Sequence, residues 1–197
     1  MSSSPGEPGL RERKKARTRA AIQDHALRLF IEQGYAETTI EQIAAAADVS
    51  QSTFFRYFPT KEDTVRYDRL DPVMIEAFVA QPAGLSPAAA VRASFKQVLD
   101  SLPAEESELE RARQRLIFSV PELRVRLVDQ LSEGIAMFND GVARRLGRDP
   151  DDIAVRTWTG VIIGVVMSAY FASPEDPDRW MVELDERLAC LEGGLPE

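Results

Sequence analysis

Four aromatic rings fall within five positions of "VSQSTFFRYFPTKE", residues 49–62: Phe54, Phe55, Tyr57 and Phe58, with Arg56 among them and Pro59 after them. On a helix opening after Ser50, Phe54 and Phe58 are four residues apart and share a face with Val49, so both are core. The other face turns out Gln51, Ser52, Phe55 and Arg56, with Tyr57 at its margin. Amide, hydroxyl, guanidinium and ring groups on a short helix suit a groove with phosphate walls and a floor of base edges. Ser50 and Thr60 each open a helix whose free N–H groups favour phosphate, and Lys61 stands at the second. Other chemistry has little to work with. One histidine, His25, and one cysteine, Cys190, leave no metal set, no disulfide framework and no nucleophile–base pair, so neither an enzyme nor a cofactor is expected. "EESELE", residues 105–110, reads as a solvated helix start.

The elements that must position these groups are helical. Ile22, Ala26, Leu29 and Phe30 mark one helix face, and Gly34 ends that helix. Thr38 and Thr39 offer caps reaching Glu41 or Gln42, and the short helix that follows turns Ile43 and Ala44 inward. Asp48 supplies the turn, since aspartate tolerates left-handed geometry. The third helix stops before Pro59. Thr60 with Asp63 caps the next. Longer helices are expected over 61–81, 87–102, 104–119, 121–146, 150–172 and 177–192, punctuated by proline and glycine. The expected fold is all-α, with about nine helices. Its parts are a flexible tail over 1–10, a helix-turn-helix domain over 11–60 and a larger helical domain over 61–197.

Charge is distributed unevenly along a chain of net −8. Residues 10–61 hold nine Lys/Arg against six Asp/Glu, whereas residues 71–197 hold thirteen against twenty-two. "RERKKARTR", residues 11–19, has six basic positions in nine. An anionic partner would meet that end only; the plainer alternative is a solvated basic helix start.

The ordered set "LFIEQGYAETTIEQIAAAADVSQSTFFRYFPTKED" resembles the amino-terminal domain of TetR-family transcriptional regulators over about fifty residues. Gly34-Tyr35, Thr38-Thr39, Ile43-Ala44, Val49-Ser50, Thr53-Phe54-Phe55, Phe58 and Lys61 carry the likeness. It implies that Gln51, Ser52 and Thr53 enter the major groove of an operator, and that Thr39, Ser50, Tyr57 and Lys61 hold phosphates. Two positions depart from the family pattern: Asp48 stands where glycine is common, and Phe55 where tyrosine is common, leaving a ring able to press on sugar or a thymine methyl. "FFRYFPTKED" further resembles a subgroup whose second domains take acyl-CoA-like molecules.

A helical regulatory domain senses by enclosing a small molecule. Phe78, Phe95, Phe118, Met137, Phe138, Trp158 and Tyr170 are the lining residues expected, with Arg113, Arg115, Asn139 and Arg156 as polar contacts. Gly160, Gly164 and Ser168 recur every four residues, and Met181, Leu184, Leu188 and Leu191 follow near-heptad spacing. Together these segments would form a four-helix dimer seam, or else pack within one subunit. The uncharged run 157–174 is read as a buried helix rather than a membrane span. The resulting expectation is a cytoplasmic, bacterial, homodimeric repressor, released from a palindromic DNA operator by a small hydrophobic or acyl-CoA-like effector. The alternatives are an activator or architectural DNA-binding protein without a ligand, and a helical carrier domain.

Overall fold

The structure, a computed structural model, describes residues 9–125, 127–172 and 176–193. Only helices occur among them: α1 (Leu10–Gln33), α2 (Ile40–Ala46), α3 (Gln51–Tyr57), α4 (Lys61–Arg66), α5 (Asp71–Ala80), α6 (Pro87–Ser101), α7 (Ala104–Ser119), α8 (Pro121–Val125), α9 (Leu127–Leu146), α10 (Ile153–Ala172) and α11 (Pro177–Gly193). Most of the tail expected over 1–10 lies outside the described residues, and Leu10 already belongs to α1. The chain divides into two units, with the boundary after Tyr67 rather than after residue 60.

The first unit holds α1 to α4. Ile22, Ala26, Leu27 and Phe30 of α1 pack in a core with Ile43, Phe54, Phe58 and Val65. Each fully buried side chain of this size contributes about 1.5–3 kcal/mol. Helix ends are fixed by their own side chains. Thr39 accepts from the Gln42 backbone N–H while the Gln42 side chain accepts from the Thr39 N–H, and Thr60 and Asp63 repeat the arrangement on α4. Asp48 adopts φ 52°, and α2 ends in two bonds, Val49 N–H to the Ala44 carbonyl and Asp48 N–H to that of Ala45. Gln23, buried on α1, donates to the carbonyls of Thr64 and Tyr67 and anchors the end of α4.

In the second unit, α5 packs on α6 and α9, and α10 on α9 and α11. Its core joins Phe78, Val91, Val142, Ile162, Leu184 and Leu188. At Gly141 a Cβ would come within 2.9 Å of the Ile75 side chain, so α9 approaches α5 at a residue that has none. Arg145 donates to the carbonyls of Phe78, Gln81, Pro82 and Leu85, holding the turn between α5 and α6.

Two expectations are corrected here. The single helix over 61–81 is two, because residues 67–70 leave the helix. Pro72 is the cause: it lacks an N–H and would clash with the carbonyl four residues back, yet it suits the first turn of α5. Asp68 completes the break by accepting from the N–H groups of Leu70 and Asp71. Of the run 157–174, residues 173 and 174 lie outside the described residues, and 157–172 is only partly buried. Val155, Thr159, Ile162 and Ala169 of α10 are buried, while Thr157, Gly160, Val161, Gly164, Ser168 and Phe171 are exposed. By length and composition alone α10 could cross a membrane, but its buried stripe packs against α9 and α11.

Candidate nucleic-acid interface and ligand cavity

α3 is seven residues long and opens at Ser50, whose hydroxyl accepts from the Thr53 N–H. The same hydroxyl donates to Thr53 Oγ1 at 3.0 Å and lies 2.9 Å from Ser52 Oγ. Phe54 and Phe58 are fully buried. Gln51, Ser52, Phe55 and Arg56 are exposed, Phe55 at 48%. Thr53 and Tyr57 are half-buried, and the Arg56 guanidinium lies 5.3 Å from the Tyr57 ring centre. Phe55 is held upright by the edge of Phe54, with ring centres 5.7 Å apart. The outward face thus offers an amide, a hydroxyl, a guanidinium and an apolar ring. These suffice for hydrogen bonds to base edges, contact with a thymine methyl and pairing with phosphate. Thr39 is exposed on the neighbouring α2, its hydroxyl engaged in the cap.

Lys61, expected to hold phosphate, is bonded within its own unit. Its ammonium donates to the carbonyls of Tyr35 at 2.8 Å and Thr38 at 3.1 Å, with that of Ala36 at 3.5 Å, and sits 4.4 Å from the Tyr35 ring centre. Tyr35 in turn donates to Glu62 at 2.8 Å, a bond that helps hold the Glu62 carboxyl below its ordinary value against the effect of burial. Lys61 therefore ties the loop after α1 to the start of α4. Replacing it by methionine should lower the stability of the first unit by about 1–2 kcal/mol, while the salt slope of DNA binding stays close to that of the parent. Chemical denaturation and binding at several salt concentrations check both. Arg19, one of the six basic residues of 11–19, is likewise turned inward, its guanidinium 3.7 Å from the Tyr67 ring centre. Arg11, Arg13, Lys14, Lys15 and Arg17 are exposed along the first half of α1.

The second unit holds a partly open cavity of about 240 Å³ among α5, α6, α7, α9, α10 and α11. Phe95, Arg113, Met137, Phe138 and Tyr170 line it. Phe78 does not; it is fully buried and packs behind Phe138, with ring centres 5.4 Å apart. Trp158 packs on the core instead of the cavity, and the Phe118 side chain lies outside the described residues. Arg115 and Arg156 are exposed. Asn139 accepts from Thr159 and donates to the Pro150 carbonyl.

Of the polar contacts expected, Arg113 alone lines the wall; the acidic part of the wall was not foreseen. Asp68, Asp71 and Glu110 line the cavity beside Arg113. Arg113 is only 4% exposed; it donates to Asp68, and to Glu110 at 2.7 and 2.9 Å. Burial opposes its charge, but the two carboxylates hold its proton more tightly than usual. Burial pushes the Asp71 carboxyl up to about 7; the charges of Asp68 and Glu110 add to this and Arg113 opposes it. Burial also raises the Tyr170 hydroxyl. The available signal was Asp-Pro at 71–72, which stops a helix and brings two carboxylates into the turn. Trp180 on α11, also in the wall, had no signal beyond its size.

The seam expected from α10 and α11 is only half external. Leu184 and Leu188 are buried in the core of the second unit, and Met181 packs against it. Gly160, Gly164 and Ser168 are exposed, and a Cβ built at either glycine meets nothing within 4 Å.

Residues 22–66 match the family model for the bacterial regulatory proteins of the tetR family, and residues 85–196 match that for the MftR C-terminal domain. The HTH-type transcriptional regulator TcmR of Streptomyces glaucescens is 37% identical over 157 residues, covering 76% of this chain and 70% of that protein. Among solved structures, Thermus thermophilus FadR, in complex with lauroyl-CoA, aligns with TM-score 0.55 and 23% identity over 91% of this chain and 95% of that one. SmeT, in complex with triclosan, aligns with TM-score 0.56 and 22% identity over 88% and 91%. At such identities the two structures establish a shared fold.

Proposed function

This chain belongs to the TetR family of bacterial transcriptional regulators, and from that premise we propose that it is a cytoplasmic, homodimeric repressor that reads a palindromic operator with α3 and lets go when a small, largely apolar molecule fills the cavity of the second unit. The observation that carries the reading is the division of α3 into a fully buried ring pair, Phe54 and Phe58, and an outward set of Gln51, Ser52, Phe55 and Arg56. Gln51, Ser52 and Thr53 are the groups for the bases. Thr39, Ser50, Arg56 and Tyr57 are placed for phosphate or sugar, and the exposed basic half of α1 adds sequence-independent attraction.

A palindrome is read by two copies of α3 about one turn of DNA apart, which requires a twofold dimer. The exposed stripe Thr157, Gly160, Val161, Gly164, Ser168 and Phe171 of α10 is apolar or small throughout, and Val182 of α11 is also exposed. Its lack of bulk at the two glycines suits the close approach of a second copy. Release acts through Asp68. This residue follows directly on Tyr67, the last of the first unit, and its carboxylate caps α5 while accepting from Arg113 in the cavity wall. A ligand that alters the Arg113 bonds thus changes the segment from which the DNA-binding unit hangs.

The test is operator affinity in the variant Gln51→Ala. It should lose about 1–3 kcal/mol on the parent operator and accept substitutions at one symmetric pair of positions. If Gln51→Ala bound every sequence as the parent does, α3 would not be reading bases.

A further inference from the structure

The cavity wall sets three carboxylates, Asp68, Asp71 and Glu110, against one guanidinium, Arg113. That guanidinium is already bonded to Asp68 and Glu110, whereas the Asp71 carboxylate accepts no hydrogen bond among the described residues. A second group points the same way. Trp180 is 7% exposed and lines the cavity, and its indole N–H has no partner among the described residues. Of the two, Trp180 is the buried group left without a partner, whereas Asp71 is half-buried; unpaired groups in a cavity wall mark what an occupant supplies. Apart from Gln114 and Tyr170, the remaining lining is apolar, with Ile75, Phe95, Met137, Phe138 and Met167.

We propose that this cavity takes an organic cation: an apolar body with a protonated amine held at Asp71 and an oxygen acceptor for the Trp180 N–H. The inference rests on the reading of the second unit as the effector domain and names the chemistry of that effector. It runs against the acyl-CoA-like effector expected from the sequence. A phosphate or carboxylate brought to this wall meets three carboxylates, and the one guanidinium in the lining is committed to two of them. An ammonium group gains an ion pair in surroundings of low dielectric, where an unpaired charge is expensive. Asp71 is faced by Asp68 from the segment before α5 and by Glu110 and Arg113 from α7, and Tyr170 of α10 lines the same cavity. Because burial keeps part of Asp71 protonated at neutral pH, cation binding should tighten from pH 6 to pH 8 as that carboxyl ionises.

Titration calorimetry on the whole purified protein, without DNA, tests this with three probes that share one ring system: 1-naphthylmethylammonium, 1-naphthylmethanol and 1-naphthoate. The ammonium should bind about tenfold or more tighter than the carboxylate. Asp71→Asn should weaken the ammonium about tenfold, leave the alcohol unchanged and abolish the pH slope. Trp180→Phe should weaken the alcohol, whose oxygen is its acceptor. Naphthoate binding as tightly as the ammonium overturns the proposal, as does binding of none of the three. The comparison of probes on the parent protein decides even where a variant does not fold. Operator release is measured separately: an ammonium probe that binds while DNA stays bound supports the cavity chemistry and contradicts the effector reading.

Discussion

Replacing Gly164 with arginine should leave the protomer folded and give a monomer that no longer holds an operator. A Cβ at this position meets nothing within 4 Å in the protomer, so the substitution creates no internal clash. Removing a helical glycine should in fact stabilise α10 by about 0.5–1 kcal/mol. In a dimer built on the stripe Gly160, Gly164 and Ser168, the same side chain stands where the partner's backbone must approach, and its charge has no place in an apolar contact. Losing the second α3 removes the gain from binding both half-sites together, and operator affinity should fall about 100-fold or more. Analytical ultracentrifugation, denaturation and DNA binding read the three effects independently. A Gly164→Arg protein that sediments as a dimer would move the interface elsewhere on the second unit.

The second large effect concerns Arg113. Its replacement by methionine keeps an unbranched apolar stem but leaves Asp68 and Glu110 without the guanidinium they accept from. Breaking a buried ion pair by removing one partner costs about 3–5 kcal/mol, because the remaining charge stays buried and uncompensated. The pH dependence follows from the sign of the shifts. Asp71, with a carboxyl near 7 in the folded protein and about 3.9 unfolded, takes up a proton on folding between these values. Its contribution therefore improves as pH falls, and the parent should be about 1 kcal/mol more stable at pH 6 than at pH 8 through this group. Asp71→Asn should remove that difference. In Arg113→Met the Asp71 carboxyl loses the charge that opposed its protonation, so the gain on acidification should be larger than in the parent. A variant that loses less than 1 kcal/mol at pH 8, measured by denaturation, would show that the quartet is not a coupled buried cluster.

Much of the DNA-binding unit was legible because its signals are local. Phe54 and Phe58 sit four apart and had to share a face. Thr39, Ser50 and Thr60 precede helices and cap them, and Asp48 took the left-handed turn expected of it. What escaped were interactions between residues distant in sequence. Lys61 reads as a phosphate ligand by position, yet its ammonium is taken up by carbonyls more than twenty residues upstream. Leu184 and Leu188 have seam spacing, but a heptad pattern does not say whether its partner lies in the same subunit. Of the seven apolar lining residues expected, Phe95, Met137, Phe138 and Tyr170 line the cavity, since bulky apolar groups in a helical domain gather somewhere near its middle. The acidic side of the wall was missed because Asp68 and Asp71 were assigned to a continuous helix, where they would have been surface charges. The overlooked Pro72 converts that helix into a turn, and the turn brings both carboxylates to Arg113.

The measurement that bears most directly on the central claim is selection of random duplex DNA on the purified protein, read at low and at near-physiological salt. The account predicts enrichment of one palindrome, with half-sites about one helical turn apart or a multiple of it, that survives the higher salt and is lost in Gln51→Ala. Enrichment of no sequence, with binding that disappears as salt rises, would contradict it. The exposed basic half of α1 would then merely attract polyanions, and α3 would have the shape of a reading helix without its function.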